Sequence, residues 1–231
     1  MSKLRTLLFN GWAAGAEIWE NTSFQRDWTF SYLEQLDGLP NKVMEESSDV
    51  LLVGFSMGGS NVLKALLDWP DKVRAAVFVS ASVRMMEERS EIAQGATRGE
   101  VIWRGLGERR FAALRFGTQC VYKNDPSELF SNENLERGLD FLRATDLRER
   151  LEAFSADPRS RKIPMAIISS ERDGIVSPDN AVFLKKVFPQ AYVFTVPGNE
   201  HTLSVTVPEI IDAAVAEVKK LALREGGLNE A

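Results

Sequence analysis

The stretch VLLVGFSMGGSNVL, residues Val50 to Leu63, leaves the chain few local geometries. Val50 to Val53 is an unbroken apolar run rich in β-branched residues, the pattern of a strand buried on both faces. Asn61 to Trp69 carries apolar residues at helical spacing and stops at Pro70. A strand must therefore turn into a helix within the few residues that hold Gly54, Ser56, Gly58 and Gly59. Ordinary glycine and serine usage places G-x-S-x-G by chance in roughly 8% of chains this long, so the motif decides little without its context. On a strand-to-helix turn the serine is held in a strained conformation that lifts its hydroxyl above the sheet, and the glycines let strand and helix approach closely. The alternative is a serine that only completes a tight turn.

The rest of the chain alternates in the same way. Thr6 to Phe9 reads as a short buried strand leading into a loop, Asn10 to Ala16, with Gly11 and Gly15. Trp28 to Tyr32 reads as a second short strand. Ala75 to Ser80, Ile163 to Ser169 and Tyr192 to Val196 are further strands, with an amphipathic helix at Asn180 to Phe188 and a closing helix at Pro208 to Leu223. This order predicts an α/β fold with a mainly parallel, doubly wound sheet. Sites in such sheets lie at the carboxyl ends of the strands. Residues 82–161 break the alternation, with helical spacing in Phe111 to Phe116 and Leu135 to Leu142. They are predicted to form a helical cap inserted into a core of residues 1–81 and 162–231. The insert holds thirteen of the eighteen arginines and only one lysine. It also holds fourteen acidic residues, so a basic patch there requires the fold to segregate the charges.

Composition narrows the function classes. With 231 residues, 44% hydrophobic and 26% charged, the chain can bury a full core, and one domain with an insertion is expected. A net charge of −5 gives no electrostatic reason to expect nucleic acid or an anionic membrane as partner. No apolar run approaches the ~20 residues of a membrane span. Near the start, Leu7 to Phe9 is too short for a signal-peptide core, which leads to the expectation of a cytoplasmic protein. One cysteine, Cys120, cannot close an intrachain disulfide, and one histidine leaves no Cys/His cluster for zinc. No metal or other cofactor is expected.

A serine hydroxyl is a weak nucleophile and needs a base, which in turn needs an orienting carboxylate. The only candidate base is His201, in a loop after the strand Tyr192 to Val196. The candidate carboxylate is Asp173, which follows Ile163 to Ser169 and is trailed by Gly174 and Pro178, signs of a loop. An Asx turn is the plainer reading of Asp173. Asp179 is a second carboxylate, better read as the cap of the helix from Asn180. An oxyanion would need backbone donors, expected at Met57 and, in the loop after the first strand, at Trp12.

The order Ser56, Asp173, His201 resembles that of the α/β-hydrolase superfamily, and the resemblance extends over essentially the full chain. NGWAAGAEIW, GFSMGGSNVLKALLDWPDKVRAAVFVSAS, GLDFLRATDLRERL, ERDGIVSP and PGNEHT carry a narrower similarity. In these segments the chain resembles the pimeloyl-acyl-carrier-protein methyl ester esterases of biotin synthesis. The resemblance implies demethylation of an acyl ester held on an acidic acyl-carrier protein, with Arg110 and Arg115 of the cap receiving the carrier. The chain departs from the family in three ways. Its first strand corresponds to the usual third, so the first antiparallel hairpin is missing. Asn21 to Ser48 is too short for the usual strand and helix, and Asn10-Gly11 stands where many members have His-Gly. The abbreviated start resembles a shorter, non-orthologous esterase group of the same pathway.

Three readings follow. The first is a serine esterase acting on a small or carrier-bound acyl ester. The second keeps the three residues and changes the substrate to a thioester, a lactone or a carbon–carbon bond. The third is a hydrolase-fold binding protein without catalysis, whose signature would be a missing member of the three.

Overall fold

The computed structural model describes residues 3–84 and 131–226. Six strands form one sheet: β1 (Arg5–Phe9), β2 (Trp28–Phe30), β3 (Val50–Phe55), β4 (Val73–Val79), β5 (Met165–Ser170) and β6 (Tyr192–Val196). Their order is β2-β1-β3-β4-β5-β6, and every neighbouring pair is parallel. After β1 the chain moves outward to β2, and after β3 it moves the other way to β4. The strand order thus reverses between β1 and β3, and a crevice at such a reversal is where open α/β sheets bind ligands.

Every residue of β3 is buried, as its unbroken apolar run requires. Its side chains alternate between two hydrophobic layers. Leu52, with Leu7, Phe9 and Phe78 of neighbouring strands, packs against helices α2 (Leu39–Glu46), α3 (Met57–Asp68) and α6 (Asp179–Val187). Leu51 and Val53, with Leu8 and Val77, pack against α8 (Pro208–Gly226) through Ile211, Val215 and Val218. Full burial of each such side chain contributes about 1.5–3 kcal/mol relative to exposure.

Several boundaries differ from the sequence reading, for local reasons. The second strand ends at Phe30 and Tyr32 opens helix α1 (Tyr32–Leu36). A reciprocal cap causes the switch: the Ser31 hydroxyl accepts from the Glu34 N–H while the Glu34 carboxylate accepts from the Ser31 N–H. The segment Asn21 to Ser48 therefore does accommodate a strand and helical structure, in short pieces: β2, α1 and α2. Helix α3 begins at Met57, directly after the serine, four residues earlier than the apolar spacing suggested. Pro178, not Asp179, is the cap of α6, and Asp179 is the first helical residue. Strand β6 lies where expected but at the sheet edge, which leaves Tyr192 and Val193 exposed.

Within residues 82–161 the described part comprises α4 (Asn132–Ala144), α5 (Arg148–Ser155) and a 3₁₀ turn at Ser160–Lys162. The Asn180 side-chain carbonyl accepts from the N–H groups of Val83 and Arg84, steering the chain out of the core. Arg137 pairs with Asp37, Arg150 with Asp68 and Arg159 with Asp71, each linking this segment to residues that precede β4. Arg84 and Arg148 pair with Asp146, and Arg143 with Asp140. These arginines are matched by carboxylates and make no basic patch. Arg110, Arg115, Cys120 and Phe111 to Phe116 lie outside the described residues.

Candidate active site

The turn after β3 holds Ser56 at φ 55° and ψ −119°, a left-handed conformation that non-glycine residues rarely adopt. The flanking glycines make that possible. A Cβ on Gly54 would lie 2.6 Å from the Gly58 carbonyl oxygen, and one on Gly58 would run into the backbone of Phe9 and Asn10. The Ser56 N–H donates to the Val79 carbonyl (2.9 Å), which ties the turn to β4.

Two other loops at the carboxyl edge meet this serine. His201 lies after β6 and Asp173 after β5, and both are buried. The Asp173 carboxylate accepts the N–H groups of Ile175 (2.8 Å) and Val176 (3.0 Å) through Oδ1. These bonds form the Asx-type turn expected of Asp-Gly, and they leave Oδ2 for the His201 ring at 2.8 Å from Nδ1. Turn former and ring partner are thus the same side chain. The other ring nitrogen, Nε2, is 3.1 Å from Ser56 Oγ. Burial pushes the Asp173 carboxyl up, but the His201 ring and the two backbone N–H groups outweigh it and hold the carboxyl below the usual aspartate range. An ionised carboxylate only accepts, so Nδ1 carries a proton, and in the neutral ring Nε2 then presents its lone pair to the serine hydroxyl. Phe55 packs against the imidazole at 4.9 Å between ring centres.

The loop after β1 lies against the same point. A Cβ on Gly11 would be 3.1 Å from the Ser56 Cβ, so Gly11-Trp12 passes directly beside the serine. Asn10 anchors this loop: its side-chain oxygen accepts from the Trp19 indole (2.7 Å) and its backbone carbonyl from the Gln35 amide (2.9 Å). Asn61 of α3 in turn donates to the Gln35 side-chain oxygen at 2.9 Å. The Trp12 indole N–H donates to the Leu135 carbonyl of α4 at 3.0 Å, with Gly138 of that helix close beneath the ring. Met57 is the first residue of α3, so its N–H has no acceptor within the helix.

The structure thus brings Ser56, Asp173 and His201 into one hydrogen-bonded line, with Trp12 and Met57 on its flanks. Asp179 is not part of it. Sequence reading missed Trp19, Gln35 and Asn61, the supports of the Asn10 loop. Gln35 sits in Asn21 to Ser48, the segment that reads as too short for the usual strand and helix, and no motif marks it.

A parallel sheet with this strand order, a strained serine between β3 and a helix, and an imidazole joined to a buried carboxylate define a hydrolase architecture. The chain belongs to the α/β hydrolase fold family, whose model matches residues 46–207. Among its relatives, the pimeloyl-[acyl-carrier protein] methyl ester esterase of Yersinia enterocolitica is 23% identical, with 91% of each chain covered. Methylesterase 2 of Arabidopsis thaliana is 23% identical, covering 78% of this chain and 70% of the plant protein. A structure from a study of carboxylesterases of Nitrososphaera gargenis superposes with a TM-score of 0.65 at 12% identity, covering 96% of this chain and 92% of the other.

Proposed function

We propose that the chain is a serine-dependent carboxylic ester hydrolase. The observation that carries this reading is the line from Ser56 Oγ through the His201 ring to Asp173, with Ser56 held on a strained turn. In this reading Nε2 takes the hydroxyl proton as Ser56 attacks the ester carbonyl. The carbonyl oxygen gains charge and is received by the backbone N–H groups of Met57 and Trp12. The imidazolium then returns the proton to the departing alcohol, leaving an acyl group on Ser56. Water activated by the same ring releases the acid. Asp173 holds the ring in the tautomer required and stabilises its charged form.

The narrower proposal concerns the substrate, the methyl ester of a pimeloyl chain carried on acyl-carrier protein. The likeness to the Yersinia protein over nine tenths of both chains supports it. The names of the Yersinia and Arabidopsis relatives share methyl ester chemistry, so methanol is the better-supported half of the substrate. Carrier docking is assigned to Arg110 and Arg115 by the resemblance to that esterase family; Arg137, Arg143, Arg148, Arg150 and Arg159 each pair with a carboxylate.

The test compares methanol release from the carrier-bound ester and from a small soluble methyl ester. Arg110→Glu should lower kcat/KM for the first and hardly change the second, because a reversed charge in a docking contact acts on encounter rather than on bond cleavage. Equal loss on both substrates, or loss on neither, would contradict carrier docking at Arg110.

A further inference from the structure

The loop that carries His201 is held at two successive backbone carbonyls. The Ser80 hydroxyl donates to the His201 carbonyl at 3.0 Å, and the Ser170 hydroxyl donates to the carbonyl of Glu200. Both serines are fully buried and stand side by side in the fold, Ser80 just after β4 and Ser170 at the end of β5. The His201 carbonyl also accepts the Leu203 N–H at 3.1 Å. Neither serine contacts Ser56, Asp173 or the imidazole ring through a side-chain hydrogen bond among the described residues.

Ser80 carries a second signal. Its φ is 45°, one of three non-glycine residues with positive φ among the described residues, and Ser56 is another. A residue stays in such a conformation only where its surroundings over-determine it, and such residues cluster at functional sites. Here the Ser80 N–H donates to the Ile168 carbonyl (2.8 Å) while its hydroxyl reaches the histidine loop. The unusual backbone angle brings the end of β4 and its hydroxyl to the one carbonyl that belongs to the ring-bearing residue.

We propose that Ser80 and Ser170 are positioning residues for His201: by fixing the carbonyls of Glu200 and His201 they set where the imidazole stands between Ser56 and Asp173. The proposal rests on the role assigned to His201 above. The distances leave little tolerance, since Nδ1 and Nε2 are held at 2.8 Å and 3.1 Å from partners on different loops. A displacement of about 1 Å in such a line costs on the order of a hundredfold in rate.

The chain has one histidine, so the imidazole resonances in an NMR spectrum belong to His201 without further assignment. The variants are Ser80→Gly and Ser170→Ala. The first removes the hydroxyl and relieves the positive φ, so a lower activity cannot be blamed on added backbone strain. Ser80→Gly is expected to lower kcat about tenfold to a hundredfold with KM within twofold, to keep the thermal midpoint, and to shift or broaden the low-field Nδ1 proton signal. Ser170→Ala should act in the same direction, and if it fails to fold the Ser80→Gly result stands alone. A kcat within threefold of wild type for Ser80→Gly would overturn the proposal, as would a lower kcat with an unchanged Nδ1 signal. Failure of the esterase reading itself looks different: Ser56→Ala would then hydrolyse esters as wild type does, whatever the histidine signal shows.

Discussion

Ser56 occupies a backbone region that costs a non-glycine residue on the order of 1–3 kcal/mol. Glycine adopts it freely but loses about 0.5–1 kcal/mol more on folding through its greater unfolded-state freedom. Ser56→Gly is therefore expected to be as stable as wild type or more stable by up to about 2 kcal/mol in urea unfolding, while ester turnover falls by about four orders of magnitude or more. A destabilised Ser56→Gly protein would mean that the turn is not strained. Asp173 supplies a pH dependence of stability. Its folded-state pKa is depressed, so it contributes stability above the ordinary aspartate range and loses that contribution as pH falls through the lower folded value. Asp173→Asn should therefore lose less stability between pH 7 and pH 3 than wild type, measured by urea unfolding at both values. An equal loss would show that the depressed carboxyl has no part in acid unfolding. In activity, Asp173→Asn should cost about four orders of magnitude in kcat, because an amide favours the wrong ring tautomer.

Elements set the site through close approach. Gly58 lies where the start of α3 crosses the end of β1, and a Cβ there would collide with Phe9 and Asn10. Gly58→Ala should cost about 1–3 kcal/mol in urea unfolding, the usual size of overpacking, and reduce kcat by moving the Asn10 loop. Gly174→Ala is the control: nothing lies within 4 Å of a Cβ there, so its stability should change by no more than about 0.5 kcal/mol. Equal effects at both positions would rule out close packing as the reason for glycine at 58. The strand-turn-helix around Ser56 and the loop of Asp173 were legible in the sequence because each follows an apolar run that reads as a buried strand, and the loop of His201 because Tyr192 to Val196 reads as a strand even though it lies largely exposed at the sheet edge. What could not be read depends on contacts far apart in the chain. Gln35 reaches Asn10 and Asn61, and the Trp12 indole reaches Leu135, 123 residues away. The same limit hid Ser80, whose hydroxyl meets the His201 carbonyl 121 residues further on. At Tyr32 the reason was local: a capping box overrode β propensity.

On the scale of the whole molecule, the described helices between β4 and β5 are joined to the elements before β4 by ion pairs and by apolar packing. Arg150 and Asp68 are both about half exposed, at 51% and 46% of their side-chain surface. Such pairs contribute about 0–1 kcal/mol and are screened by salt. Arg150→Ala should therefore change stability by less than about 1 kcal/mol in urea unfolding, and by less still at 1 M salt. A larger effect would mean that the pair anchors the insert. The apolar contact is the stronger tie, because Leu135, Leu139 and Leu142 of α4 are buried with Trp12, Tyr32 and Met57 above the strand ends. Helix α4 therefore packs around the two residues proposed to hold the oxyanion. The proposed chemistry depends on Ser56 as the nucleophile, and covalent labelling reads that role at the residue itself. A fluorophosphonate reacts with a serine activated by a neighbouring imidazole and leaves a stable adduct. Intact-mass spectrometry should show one adduct per chain, peptide mapping should place it on Ser56, and ester hydrolysis should disappear in step with labelling. An active protein that takes no label, or loses activity through an adduct on another residue while Ser56 stays unmodified, would contradict the account.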